Sequence, residues 1–398
     1  MTALPRPPAT TPALPAGAPA EAPQPLYDVL VAGLGPGGCA AALAAHAAGL
    51  RVLAVEARGP QATRSQLVLV RPGAQAALCR LGLPDITEGR RTTTIRHVEN
   101  RLRDALATAA EAGHRLPPTP GMPPPGPPLD LCWQTGVVAV APGPADVQVT
   151  LRDEPGGAQR TVSARHLVDA TGGRLEALGR PARQRAGPGH LVITAEYTAP
   201  PWFDGIVGVR DPATHELYLL FPTWGRAGVI AYFDTPPGAR LDGATLARRF
   251  EAIAGQLALG PPRQPVEAID VYQRRLARPS TDRVLPIGDA VGNVDVLLGA
   301  GMSWAIEDGV DAALGVAAAQ RQPSAALEMA VTQATGARIF ARHRAGSRRG
   351  RLMLAVRPLL ERAWPRATLP HIGRDSLGPP PLLWPAVRFV FGRRPRAT

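Results

Sequence analysis

The 398-residue chain contains no lysine; all 44 of its basic side chains are arginine. That absence excludes a Schiff-base lysine, a P-loop lysine and any halogenation that depends on a lysine amine. Arginine-only usage fits a GC-rich coding bias. There are three cysteines, Cys39, Cys79 and Cys132, odd in number and far apart. They read as small apolar side chains in a reduced, cytoplasmic protein. The eight histidines fall in no metal-ligand spacing, so no metal is expected. Aromatic residues make up only 5% of the chain. No uninterrupted apolar run reaches the roughly 18 residues that a membrane-spanning helix needs. Zinc-finger and RNA-recognition patterns are also missing. The net charge of +12, much of it between Arg338 and Arg396, is therefore not read as a nucleic-acid interface.

What is abundant is proline (45), glycine (42) and apolar residues (45% of the chain), a mix that suits a globular protein with many turns. Residues 1–25 are rich in Pro and Ala and read as a disordered leader, because proline lacks an N–H and disfavours helix before it. They do not form a signal peptide, since prolines interrupt any apolar segment. Order begins at Tyr27. YDVLVAGLG is a short buried strand ending in glycines, GGCAAALAAHAAG an Ala-rich helix, and RVLAVEA a second strand, which together open a parallel sheet. VRPGAQAALCRLGL and TIRHVENRLRDALATAAEAG follow as helices, with a Pro-rich surface loop at 116–128. CWQTGVVAVA, DVQVTLRD and TVSARHLVDAT read as strands. Between His190 and Tyr272 the pattern becomes antiparallel: HLVITAEYTA, GIVGVRD, LYLLFPTW and AGVIAYFD, then the helix TLARRFEAIAGQL. Such a sheet is a natural wall for a substrate cavity. Helices dominate after Met302.

Two motifs carry chemistry. Gly33-Leu34-Gly35-Pro36-Gly37-Gly38 is a GxGxxG between a strand and a helix. Gly33 allows the tight turn, Gly35 lets backbone approach a pyrophosphate, and Gly38 permits close helix–strand packing. The helix N-terminus offers N–H groups to phosphates. Glu56 ends the next strand, where an acid accepts ribose hydroxyls. Far downstream, Val284-Leu285-Pro286-Ile287-Gly288 delivers Asp289 at a strand's carboxyl end, suited to a ribityl or ribose hydroxyl. The N–H groups near Gly301 and Met302 suit an electron-rich ring edge. Read without the first motif, this segment is equally a capped turn between strand and helix.

GLGPGG with Glu56, then LVDATGG at Leu167–Gly173, then GDAVGNVDVLLGAGMSWAIED at Gly288–Asp308, resemble the three signatures of the para-hydroxybenzoate-hydroxylase-like flavoproteins. That superfamily includes aromatic hydroxylases, styrene and indole epoxidases and geranylgeranyl reductases. The resemblance covers Tyr27 to Gly309 and implies FAD as cofactor. It also makes Arg64, Gln66 and Arg96 candidate FAD ligands; for each arginine the alternative is a solvated surface charge. The implied fold is α/β, a Rossmann-type FAD-binding domain (26–185 and 276–330) with an inserted antiparallel substrate sheet (186–275) and a basic C-terminal helical tail (331–398). Where family hydroxylases carry His, Pro and Asn in the last signature, this chain has Gly292, Val296 and Ser303. Thr171-Gly172 replaces Asp-Gly in the middle one. FAD binding rests mainly on backbone and on Asp289, so it tolerates these changes; aromatic hydroxylation in particular is less well supported.

Three activities stay open. The first is a monooxygenase of secondary metabolism that hydroxylates or epoxidises an apolar or aromatic small molecule through a flavin C4a-hydroperoxide. The flavin carries the chemistry, so no catalytic dyad is assigned. Tyr218, Phe221 and Trp224 are candidate cavity-lining residues, though strand alternation prevents all of them from facing inward. With one dinucleotide fingerprint, electrons come from transiently bound NAD(P)H or from a partner flavin reductase. The second is a flavin-dependent reductase of a prenyl-type substrate, with the Arg- and Trp-containing tail touching a membrane surface; a helix packed on the protein is the plainer reading of that tail. The third is a non-catalytic flavin protein that recruits a partner through the Pro-rich loop.

Overall fold

The computed structural model describes residues 27–61, 67–83, 86, 92–115, 129–172, 185–198, 207–210, 217–223, 226–235, 243–256, 258–262, 267–274, 282–292 and 301–363. The Pro/Ala-rich leader, the Pro-rich loop and most of the basic tail lie outside them.

The first strand, β1 (Tyr27–Ala32), is almost wholly buried, as expected of a parallel strand covered on both faces. It runs into α1 (Pro36–Ala47), which returns the chain to β2 (Val52–Glu56), parallel to β1. A short antiparallel pair, β3 (Leu67–Leu69) and β4 (Thr92–Thr94), flanks α2 (Pro72–Arg80). The long amphipathic α3 (Ile95–Arg115) packs against α1 through Val98, Leu102 and Leu106. The segment expected as one strand, CWQTGVVAVA, is two. β5 (Leu129–Trp133) pairs in parallel with β2, and β6 (Thr135–Pro142) pairs antiparallel with β7 (Val147–Asp153). Gln134 between them has φ 53° and turns the chain out of one pairing into the other.

β8 (Gln159–Asp169) joins these parts. Its first half pairs with β7, and its second half lies parallel between β1 and β14 (Val284–Pro286). The parallel order is thus β5-β2-β1-β8-β14. Between β8 and β14 the chain builds a separate antiparallel sheet in the order β10-β11-β12-β9-β13, from β9 (Arg185–Thr198), β10 (Val207–Arg210), β11 (Leu217–Thr223), β12 (Arg226–Thr235) and β13 (Glu267–Arg274). The last of these was not foreseen. The helix α4 (Gly243–Gln256) lies against this sheet where Phe250 stacks on Tyr197 of β9, ring centroids 5.8 Å apart.

The chain ends its described part in α5 (Gly301–Gln320) and α6 (Ala325–Ala363). The expected boundary between residues 330 and 331 falls inside α6. Among the described residues no helix is long and apolar enough to cross a membrane. α1 and α5 approach until backbone meets backbone. A Cβ on Gly309 would stand 2.2 Å from the Gly37 carbonyl oxygen, and one on Gly37 would stand 2.7 Å from that of Ala305. Glycine is what lets the two helices pack this closely.

Candidate functional site

Four parallel strands end along one rim: β2 at Glu56, β1 at Ala32, β8 at Asp169 and β14 at Pro286. In open α/β sheets this carboxyl rim is where ligands sit. The rim brings together motifs that lie more than two hundred residues apart. A Cβ on Gly33 would lie 2.7 Å from the Ala170 carbonyl oxygen, one on Gly172 would lie 3.9 Å from the Asp289 Cβ, and one on Gly301 would lie 3.7 Å from the Asp289 Oδ1.

The glycines of the first motif divide into packed and open positions. Gly33 sits at φ +93°, a conformation that L side chains rarely adopt. A Cβ on Gly38 would stand 1.8 Å from the Gly33 carbonyl oxygen, so turn and helix are wedged together. At Gly35 a Cβ would meet nothing within 4 Å. Gly35 is also the N-cap of α1, and no side chain caps that helix. The first turn of α1 thus offers N–H groups that no side chain caps, beside the open position at Gly35, as a diphosphate requires.

The peptide of Leu34 is gripped at both ends. Its N–H donates to Glu56 Oε2 at 2.7 Å, while its carbonyl accepts from Cys39 Sγ at 3.3 Å and from Arg103 Nη2 at 3.4 Å. Arg103, on α3, is buried beneath the loop, also donates to the Pro60 carbonyl at 3.0 Å and lies 5.4 Å from the centre of the Trp133 ring. Sequence reading had no signal for it; a helical arginine looks solvated until the fold places it. Burial works to raise the Glu56 carboxyl, but hydrogen bonds from the Arg58 side chain and from the Leu34 N–H outweigh it. Glu56 therefore stays ionised and acceptor-only, holding the loop with Oε2, which retains a free lone pair.

Asp289 lies in the turn Gly288–Ala290 directly after β14 and is half-buried. Among the described residues nothing hydrogen-bonds or ion-pairs with its carboxylate. The turn itself is held from below. Gly288 N–H donates to Asp308 Oδ2 at 3.1 Å, and His343 Nδ1 donates to the Gly292 carbonyl at 3.2 Å. Ser303, in the first turn of α5, accepts from the Arg71 N–H at 3.0 Å, and the Arg71 guanidinium lies 5.7 Å from the centre of the Trp304 ring. In the middle signature Thr171 donates its hydroxyl to Asp169 Oδ1 at 2.7 Å.

Of the other expected ligands, Arg96 is half-buried in the first turn of α3, while Arg64 and Gln66 lie outside the described residues. Gly301 and Met302 open α5 beside Asp289. Tyr218 and Phe221 belong to β11, opposite Ala231 and Gly228 of β12, and their positions fall on opposite faces of that sheet. Their side chains, and the whole of Trp224, lie outside the described residues.

An open glycine at an uncapped helix start, an unpartnered carboxylate at the next-but-one strand end and an ionised acid at the neighbouring strand end on the other side form a donor and acceptor set that fits FAD. Residues 126–335 match a family described as an FAD binding domain, and residues 28–110 match a second family of the same description. The first match covers more than half of the chain. The chain belongs to the FAD-binding flavoproteins. The resemblance to para-hydroxybenzoate-hydroxylase-like proteins is thereby borne out. No curated protein sequence matches the chain.

Solved structures share this flavoprotein's fold. PqsL of Pseudomonas aeruginosa, described as a probable FAD-dependent monooxygenase, is 20% identical, with a TM-score of 0.63 over 83% of this chain and 96% of its own. PieE, a flavin-dependent monooxygenase solved with FAD and substrate, is 17% identical, with a TM-score of 0.69 over 86% of this chain and 66% of its own. CmlS, a flavin-dependent halogenase, is 18% identical, with a TM-score of 0.59 over 81% and 62%.

Proposed function

We propose that this flavoprotein is a cytoplasmic FAD-dependent monooxygenase that places one oxygen atom of O2 on an apolar or aromatic small molecule. The observation that carries the reading is the pairing of the FAD-binding rim with a separate antiparallel sheet inserted between β8 and β14, the two strands that border the cofactor motifs. PqsL and PieE, similar over most of this chain, add support. A lysine-dependent halogenation is excluded, because the chain has no lysine.

When bound, FAD supplies the two-electron reduction and the activation of O2. The chain's residues bind and orient it. The uncapped first turn of α1, with Gly35, receives the diphosphate. Glu56 accepts from the adenosine ribose while it holds Leu34. Asp289 accepts from the ribityl chain. The N–H groups at Gly301 and Met302, at the start of α5, would favour negative charge on the ring edge. Arg96, with Arg64 and Gln66, completes the cofactor's surroundings. The β9–β13 sheet forms the substrate wall and keeps water out, and β11, with Tyr218 and Phe221, is the strand where a change alters substrate choice. Electrons come from NAD(P)H or from a partner flavin reductase. Substrate, O2, NAD(P)H and a proton give oxygenated substrate, water and NAD(P)+.

The test is turnover under 18O2 with FAD, an electron source and a panel of apolar and aromatic compounds. One 18O atom in the product supports the proposal. Anaerobic saturation of a prenyl double bond, with no oxygen incorporated in air, replaces it with the reductase reading.

A further inference from the structure

His343 lies on α6, far from every sequence signature, and is 2% exposed. Its two ring nitrogens meet two acceptors. Nδ1 is 3.2 Å from the Gly292 carbonyl and Nε2 is 2.6 Å from Asp308 Oδ2. The Gly292 carbonyl can only accept, so Nδ1 donates to it, and Nε2 lies within hydrogen-bond distance of the Asp308 carboxyl. Asp308, on α5 and fully buried, uses the same Oδ2 to accept the Gly288 N–H at 3.1 Å, and its other oxygen accepts from Arg342. Arg342 also holds Asp311 and lies 3.8 Å from Glu307. The Trp304 ring closes one side of His343, edge-on at 5.5 Å between centroids.

These bonds have one geometric consequence. The five-residue loop from Gly288 to Gly292 is held at its first N–H by Asp308 and at its last carbonyl by His343, and the two side chains join each other beneath it. The loop's two ends are glycines at φ +54° and +126°, and between them a turn is closed by the Ala290 N–H on the Ile287 carbonyl at 3.1 Å and the Val291 N–H on the Gly288 carbonyl at 3.0 Å. Asp289, one residue into the loop, has no partner of its own among the described residues. The bracket anchors both ends of the turn that carries it.

We propose that His343 is a positioning residue for the cofactor: acting through Asp308, it clamps both ends of the Gly288–Gly292 loop and so aims Asp289 at the flavin's ribityl chain. The inference rests on the reading of Asp289 as an FAD ligand. It makes α6 a support of the cofactor site, acting through Asp308 and the Gly288–Gly292 loop.

The experiment compares His343→Gln, which keeps one donor, and His343→Leu, which keeps none, with the parent protein and with Asp289→Ala. FAD dissociation constants are measured on apo-protein at a temperature where every variant is folded. Hydrogen exchange of the peptide spanning residues 288–292 is followed in parallel. Val149→Ala, a change at a fully buried valine of β7 in a separate core cluster, is the control for destabilisation alone. The expected order of affinity is parent, His343→Gln, His343→Leu, with a loss of roughly tenfold to a hundredfold for the last, the worth of one or two hydrogen bonds to charged groups. Exchange at 288–292 accelerates in the same order, and the control moves neither readout. Parent-like affinity and protection in both His343 variants, with Asp289→Ala weakened, overturns the clamp and leaves the Asp289 assignment standing. Parent-like affinity in Asp289→Ala overturns that assignment and the inference with it. If His343→Leu does not fold, His343→Gln decides.

Discussion

Gly35→Val separates cofactor binding from folding more cleanly than any other change at the site. Gly35 has φ −70° and ψ −178°, an extended conformation open to every L residue. A Cβ there meets no protein atom within 4 Å. The folded state therefore gains no clash. Valine restricts the unfolded chain but is a poorer N-cap than glycine; these opposing effects are each about 1 kcal/mol or less. The apo-protein should unfold within a few degrees of the parent. The added side chain occupies the space in front of the α1 N–H groups, where a diphosphate would stand. Losing two hydrogen bonds to a charged group costs about 3–6 kcal/mol, which corresponds to a dissociation constant raised roughly 10²- to 10⁴-fold. Titration of apo-protein with FAD, followed by flavin fluorescence, and thermal unfolding of the same samples provide both numbers. Parent-like FAD affinity would refute the placement of the phosphates. A collapsed apo-protein would refute the claim that Gly35 borders open space.

Asp289→Ala should weaken FAD roughly ten- to a hundredfold with the apo fold intact, because the carboxylate holds no described protein group; the same titration checks it. Gly309→Ala forces a methyl to within 2.2 Å of the Gly37 carbonyl oxygen. It should destabilise by about 1–3 kcal/mol in chemical unfolding, less the helical preference of alanine, whereas Gly255→Ala on exposed α4, with nothing within 4 Å, should be neutral or stabilising. Burial lowers the pKa of His166 to about 4, although Glu328 pulls the other way. The folded state thus binds fewer protons than the unfolded one between pH 6.5 and 4, so stability falls as pH drops through that window. The loss approaches about 3 kcal/mol by pH 4, and His166→Gln should flatten it when unfolding is measured across the range.

The strand–turn–helix start was legible in the sequence because its pattern is local: an apolar strand, glycines at fixed offsets, an acid at the end of the next strand. Asp289 was legible for the same reason, at the end of VLPIG. The break at Gln134 was not, since a glutamine at positive φ leaves no mark on composition or period. β13 escaped notice because EAIDVYQR mixes charge into its alternation. Arg103 and His343 look like ordinary polar positions on long helices. Only tertiary placement, beneath Leu34 in one case and beneath Gly292 in the other, gives them partners.

The inserted sheet poses a topological problem that α6 solves. The chain leaves the parallel sheet at the carboxyl end of β8 and must re-enter at the amino end of β14, beside the same strand. That return is fastened by Arg283, the residue before β14. It is buried and donates to the Pro144 carbonyl at 3.2 Å and to Glu328 of α6 at 2.6 Å. Thr332, one turn further along α6, accepts from His166 of β8 at 3.1 Å. At the opposite end of β14 the loop that follows it is tied to α6 by His343. One helix therefore grips the carboxyl half of β8 and both ends of β14, so the register of those two strands is set by groups outside the sheet. The three-residue pairing between β8 and β14 is too short to fix that register by itself. A slip there would carry Asp289 away from Gly172 and Gly301 and dismantle the rim. The helix that sequence composition divides between domain and basic tail is, in the folded chain, the brace that keeps the second flavin motif against the first.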